Sequence, residues 1–256
     1  MHAYVSHLST VCANDVQTEL RKALPKMNID IMTLFPEFVD GILNESIIGR
    51  ARKAGKLDIK THNIRDYSED KHRRVDDTPY GGGKGMLMAA PPIYRTYEAI
   101  REMRGYTEKN EFLTVYMSPR GKIFNQSIAS ELASYKGIII LCGHYEGVDE
   151  RIIEEIIDME LSIGDFVLTG GELPACIVAD AVGRLCDGVL ADPECHEKES
   201  FSSGLLEYPQ YTRPYEFHGK KVPDVLISGH HENIEKWRHE RSLEITRERR
   251  PDLLSE

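Results

Sequence analysis

An α/β fold around a mostly parallel sheet, covered by helices on both faces, is what this sequence predicts, and three observations carry the prediction. Residues 112–117 and 137–142 are apolar nearly throughout rather than alternating, as strands are when both faces are buried. Stretches with helical spacing separate such runs, which is the pattern of strand–helix–strand units. Each of these runs, and a third stretch at 161–174, leads into a glycine-bearing loop, and in open α/β sheets the loops at the carboxyl ends of neighbouring strands form the ligand crevice.

Taken in order, a folded pattern begins at Met27. Residues 1–26 are mixed and polar and are expected to form a disordered extension outside the fold. Residues 28–34 alternate as a strand does, and Pro36 falls early in the first turn of a helix whose apolar stripe is Phe38, Val39, Ile42 and Leu43. A second strand is expected at 57–61, followed by a long polar loop over 66–86, and loops of that length are usually functional or mobile. Its glycines fit neither common phosphate motif. Gly85, not Ser or Thr, follows Lys84, which rules out a P-loop; Met86 occupies the last position of a dinucleotide fingerprint counted from Gly81.

Helical spacing returns at 91–104. The strand 112–117 then runs into Ser118, Pro119, Arg120 and Gly121, and after a helix at 126–135 the strand 137–142 runs into Gly143, His144, Tyr145, Glu146 and Gly147. The third unit has two β-prone pieces, 161–163 and 166–168, split by Gly164 and Asp165 and stopped by Gly170 and Gly171, with Pro174 near a helix entrance. That helix, expected to reach about Cys186, closes a ligand-binding domain over 27–186. A linker over 187–198 and a small helical domain over 199–256 follow. In the latter, 208–214 carries too much proline for an inner strand or helix, helical patterns cover 231–239 and 242–249, and Arg238, Arg241, Arg247, Arg249 and Arg250 make the most basic region of the chain.

With 256 residues, 41% of them hydrophobic, the chain can build one substantial core plus a small appended unit. Its net charge of -10 argues against a non-specific coat on nucleic acid, while leaving room for a local basic patch. The five cysteines contain no C-x-x-C pair, so reduced thiols in a cytoplasmic protein are expected rather than a disulfide framework or a zinc site. No run approaches the length of a membrane span, and the start lacks the apolar core of a signal peptide.

Four long motifs stand in one order: Val75 to Gly83, Tyr145 to Arg151, Ser162 to Pro174, and Tyr211 to Pro214. Together they resemble the bacterial tRNA (guanine-N1)-methyltransferases of the SPOUT class, over roughly residues 27–254. The resemblance implies a parallel α/β sheet tied in a deep trefoil knot, a homodimer with active sites at the subunit interface, and S-adenosylmethionine held in the knot. It also implies a target guanosine immediately 3′ of the tRNA anticodon, at position 37. By motif, the cofactor is expected against Tyr116, Met117, Ser118 and Pro119, then Gly143 and Tyr145, then Ser162, Ile163, Gly164, Phe166, Leu168, Gly170, Gly171 and Pro174.

The chemistry sets its own demands. Neutral guanine carries a proton on N1, which a base must remove as the methyl arrives, and charge then develops on O6, where a cation favours the transition state. The resemblance assigns the cation to Arg184 and the base to Glu199. This chain departs from its relatives at Glu199, where Asp is expected; the carboxylate is kept one methylene further out. Glu199 is the preferred base, with Glu197 as a substitute or a slow or inactive protein as the other readings. The family's use of magnesium draws attention to Glu146, for which a structural role capping the following helix competes; no metal ligand is assigned. For tRNA the candidates are Asp76, Lys84, His144, Arg213, Arg238 and Arg241, with Lys71, His72, Arg73 and Arg74 beside them. A non-catalytic tRNA-binding module and a nucleotide-dependent oxidoreductase are the alternatives, the second opposed by the missing fingerprint.

Overall fold

The structure is a computed structural model and describes residues 27–108, 111–191 and 199–254. At its centre lies a five-stranded sheet in which every adjacent pair is parallel. Its strands are β1 (Met27–Thr33), β2 (Leu57–Asn63), β5 (Phe112–Ile123), β6 (Gly137–Cys142) and β7 (Met159–Ser162), in the order β2-β1-β6-β5-β7. The continuous apolar runs are explained by where alternate residues go. From β6, Ile138 and Ile140 enter one core layer and Ile139 and Leu141 the other. Helices α1 (Pro36–Leu43), α2 (Ser46–Lys53), α4 (Gln126–Ala133) and α6 (Glu172–Gly183) cover the first face. Helices α3 (Ala90–Arg104) and α5 (Glu150–Ile156) cover the second.

A charged group on the central sheet sits within this core. Asp30 on β1 is fully buried, and two side chains compensate it through three contacts: Arg104 donates from Nε at 2.8 Å and from Nη2 at 3.0 Å, and His62 Nε2 lies 2.7 Å from Oδ1. Arg104 also bridges to Asp58 at 2.8 Å, tying the end of α3 to β2. Buried charge is tolerated only with such pairing.

Several expectations change. Residues 66–86 are not one open loop, because Asp76–Asp77 (β3) pairs antiparallel with Leu87–Met88 (β4) and a 3-10 turn occupies Ile64–Tyr67. Strand β5 continues to Ile123 after a register break between Met117 and Lys122, so Ser118 to Gly121 bulge from a strand rather than follow one. Residues 166–168 form no strand; Val167 is 82% exposed, and two apolar neighbours in a loop mimicked a β signal. Helices α2 and α5 were not foreseen, and the helix expected to reach Cys186 stops at Gly183 with Arg184 as its C-cap. On α1, Val39 and Leu43 are buried while Phe38 and Ile42 are about half exposed, so the apolar stripe wraps past the core face.

The carboxyl-terminal part holds a two-stranded hairpin, β8 (Glu216–Phe217) with β9 (Lys220–Lys221), and one helix, α7 (His231–Arg249), where two helical patterns were expected. Ser242, just past the expected break, is buried, and Thr246 Oγ1 accepts a bond from the Leu206 amide at 2.9 Å. The amino-terminal extension over residues 1–26 and most of the expected linker, residues 192–198 with Glu197, lie outside the described residues.

Candidate functional site

Strands β6, β5 and β7 are neighbours and parallel, so their carboxyl ends open on one side of the sheet. Helix α6 begins beneath those ends: the Gly171 amide donates to the Gly143 carbonyl at 2.8 Å, and His144 bridges to Gly170. Glycine is required at this junction. A Cβ on Gly171 would stand 2.8 Å from Cys142 Cα, and one on Gly143 would stand 2.9 Å from Tyr116 Oη. The result is a single cleft lined by all fourteen residues expected against the cofactor, from Tyr116 to Pro174, and also by His144, Glu146 and Leu161.

The cleft offers backbone amides and carbonyls between apolar side chains, which suits a flat heterocycle bearing polar edges. Ser162 Oγ donates to the Gly164 carbonyl at 3.0 Å and accepts from the Gly164 amide at 3.2 Å, fixing the turn after β7. Tyr145 holds φ +58°, the left-handed region that costs an ordinary residue energy and is retained most often at functional sites. Burial raises the Tyr116 hydroxyl above the usual phenol range and lifts the Cys142 thiol well above the usual thiol range, so both stay neutral. A cradle of glycines that any Cβ would fill fits a nucleoside-like group such as S-adenosylmethionine.

Glu146 lies against the same cleft, with its side chain packed on Gly85 and its amide donating to the Met86 carbonyl at 3.0 Å. It does not cap the next helix. Asp149 does, accepting from the Arg151 amide at 3.0 Å, because it stands one residue before α5. Among the described residues no group of three or more His, Cys, Asp or Glu could hold a metal ion.

Arg184 and Glu199, 15 residues apart in the chain, meet as a two-pronged ion pair: Nη1 to Oε2 at 2.6 Å and Nη2 to Oε1 at 2.7 Å. Their side chains keep 30% and 34% of their exposure. The pair is not at the cleft. Pro174 lines the cleft from the first turn of α6, whereas Arg184 caps the other end, about 15 Å away along the axis at 1.5 Å per residue.

Of the residues expected to meet RNA, only His144 lines the cleft. Asp76 is half-buried in the β3–β4 hairpin, while Lys84 and Arg213 are exposed. Arg73 pairs with Asp66 at 3.0 Å and Arg74 with Asp70 at 3.3 Å. The basic helix is electrically balanced. Arg238 pairs with Glu235 at 2.7 Å and stacks over Tyr208 at 4.9 Å, Arg241 pairs with Glu244 at 2.5 Å, and α7 carries as many acidic as basic side chains. Counting arginines alone had hidden Glu232, Glu235, Glu240, Glu244 and Glu248. Sequence reasoning also missed Glu172, 6% exposed, whose Oε1 accepts from Thr33 Oγ1 at 2.9 Å, and the ring of Phe35 against His144 at 5.1 Å. Nothing in the spacing marks Phe35, since the contact arises only when β1 and β6 pair.

Comparison with known proteins agrees with this geometry. A family model described as tRNA (Guanine-1)-methyltransferase TrmD matches residues 27–256. Proteins called tRNA (guanine-N(1)-)-methyltransferase are similar along nearly the same span. That of Ruminiclostridium cellulolyticum is 56% identical, covering 90% of this chain and 97% of its own. That of Lachnospira eligens is 54% identical, covering 90% and 96%, and that of Clostridium perfringens strain SM101 is 55% identical, covering 89% and 93%.

Proposed function

The chain belongs to the tRNA (guanine-1)-methyltransferase family, and from that premise we propose that it methylates N1 of the guanosine immediately 3′ of the anticodon, position 37, in tRNA. S-adenosylmethionine is the donor, held in the glycine-lined cleft as a trefoil-knotted sheet of this class would hold it, and the reaction takes place in the cytoplasm. When bound, it supplies an electrophilic methyl group.

The chain's own residues then have two tasks. Glu199 accepts the N1 proton as the N1–methyl bond forms and the methyl–sulfur bond breaks, so the base leaves neutral at N1. Arg184 faces the charge that gathers on O6. The two carboxylate oxygens of Glu199 offer about four acceptor sites, and Arg184 donates to each oxygen once. The extra methylene relative to aspartate is taken up by that two-pronged contact, which fixes the carboxylate's position.

One observation carries the arrangement: cleft and ion pair lie at opposite ends of α6. Neither side chain spans that length, so each active site combines the cleft of one subunit with Arg184 and Glu199 of another in a homodimer. Leu173, Ile177, Asp180 and Arg184 form one exposed or half-exposed stripe along α6. Leu173 is 47% and Ile177 46% exposed, and Phe38 and Ile42 of the adjacent α1 extend this apolar face. A two-fold contact over it sets two α6 helices side by side and antiparallel, bringing the ion pair of each to the cleft of the other. On the RNA side, Lys84 and Arg213 meet phosphates, Asp76 offers an acceptor to a base edge, and Arg238 and Arg241 join only by exchanging their glutamate partners.

The test is mass spectrometry of an unmodified tRNA transcript after incubation with protein and S-adenosylmethionine. A gain of one methyl group, located as 1-methylguanosine 3′ of the anticodon, is expected. Cofactor binding by calorimetry without any methyl gain would replace the enzyme by a binding module.

A further inference from the structure

His144 lines the cleft with its two ring nitrogens in different situations. Nδ1 is buried and has no hydrogen-bond partner among the described residues, whereas Nε2 is not enclosed in this way. Glu172, itself buried, uses Oε1 to accept from Thr33. Its Oε2 faces Gly170 from the same side as the histidine: a Cβ built on Gly170 would overlap Oε2 and stand 2.8 Å from His144 Nδ1. A buried nitrogen lacking a partner and a buried carboxylate oxygen therefore confront each other across a position kept open by glycine. The imidazole stands edge-on to two rings, Phe35 at 5.1 Å and Tyr145 at 5.0 Å, each exposed by about two-fifths.

The geometry points to an acid–imidazole pair that reads the substrate base. A small turn of the ring about χ2, a soft torsion, lets Nδ1–H donate to Glu172 Oε2, and polar contacts of this kind commonly tighten only when substrate is bound. With the proton held on Nδ1, Nε2 is an acceptor. It presents a lone pair at an aromatic rim, where a planar base stacks, and takes a hydrogen bond from the 2-amino group of guanine. His144 is thus a specificity-determining residue that works as a neutral acceptor rather than as a cation on phosphate. This rests on the guanine methyl transfer proposed above. Adenine has no amino group at that edge, so the same contact favours the guanosine target.

Two measurements test it. Side-chain nitrogen-15 NMR of the protein reads the tautomer without turnover: wild type is expected with the proton on Nδ1. Glu172→Gln should move it to Nε2, because Thr33 keeps the amide oxygen and the amide NH2 then faces the ring. A proton on Nε2 in wild type, or no response to Glu172→Gln, overturns the pair. Kinetics with transcripts carrying guanosine or inosine at the target, which differ only in the 2-amino group, test the recognition. Wild type should favour guanosine about 10-fold, the worth of one hydrogen bond, and His144→Ala should bring the ratio close to one. An unchanged ratio, or a rise in the KM for S-adenosylmethionine in its place, would show that the ring nitrogen serves the donor's ammonium and overturn the proposal. Absence of methyl transfer to either transcript would overturn the enzymatic reading instead, while the NMR result still decides the pair.

Discussion

If one cleft and one ion pair from different subunits make each active site, two inactive variants should restore activity when mixed. Glu199→Gln removes the base and leaves the cleft intact. Gly143→Val closes the cleft, because its Cβ would stand 2.9 Å from Tyr116 Oη and 3.0 Å from its Cε2 atom, and leaves the ion pair intact. The overpacking costs about 1–3 kcal/mol, which a thermal melt will reveal and which a two-layered core should survive. The magnitude follows from counting sites. Random exchange makes about half the dimers mixed, and a mixed dimer holds one site with both parts intact and one with neither, so about a quarter of wild-type activity should return. The assay is methyl transfer to tRNA after the two variants have been unfolded and refolded together, with each variant refolded alone as the blank. The geometric premise is also quantitative. Reacting atoms must approach to about 3–3.5 Å, whereas about 15 Å of helix separates cleft from ion pair within one chain. No recovery above the blanks, with mixed dimers shown by mass spectrometry, would refute the shared site.

Four other outcomes follow from the same contacts. Glu199→Gln should lose about 100-fold or more in single-turnover methyl transfer while binding S-adenosylmethionine normally by calorimetry, and an unchanged rate would remove Glu199 as the base. Arg104→Ala leaves the buried Asp30 carboxylate without its two-pronged partner and should cost about 3–5 kcal/mol in urea unfolding, a loss below 1 kcal/mol counting against that role for Arg104. Arg151 holds the Asp149 carboxyl below its ordinary 3.8, so the stabilisation by this cap is complete above that value and is lost as pH falls through the lower folded value; Asp149→Ala should cost about 1 kcal/mol near neutrality and progressively less in acid. Burial pushes the Cys176 thiol up to about 11, so iodoacetamide at mildly alkaline pH should label Cys176 far more slowly in the folded protein than in urea, as peptide mapping would show.

The cleft was legible in the sequence because it is made of backbone. Glycine at 143, 164, 170 and 171 and apolar runs before each loop are local signals, and parallel neighbouring strands were enough to bring the loops together. Features that depend on a second element were not legible. Phe38 and Ile42 share a helix with the core residues Val39 and Leu43, and spacing alone could not show that one pair faces outward. The arginines of α7 read as a patch until the ladder of glutamates at i+3 and i−3 was seen to neutralise them. The 66–86 segment read as a loop because a two-residue hairpin is too short to show a period.

Glu199 shows most clearly why local reading stops short. In the sequence it stands where aspartate is expected, a conservative difference whose consequence depends on what holds the carboxylate. Bound at both oxygens by Arg184, the longer side chain cannot use its added freedom, so the carboxylate is directed by the guanidinium more than by its own backbone. Arg184→Lys therefore tests positioning as well as charge. Lysine keeps the positive charge but has a single ammonium in place of the fork, so Glu199 regains its rotamers. If positioning dominates, Arg184→Lys should reduce the single-turnover rate steeply and Glu199→Asp should not rescue it. In wild-type background Glu199→Asp, the form expected in the relatives, should remain active because the fork can follow a carboxylate one methylene shorter. Equal rates for Arg184→Lys and wild type would mean that charge alone suffices and that the two-pronged contact does not set the base in place.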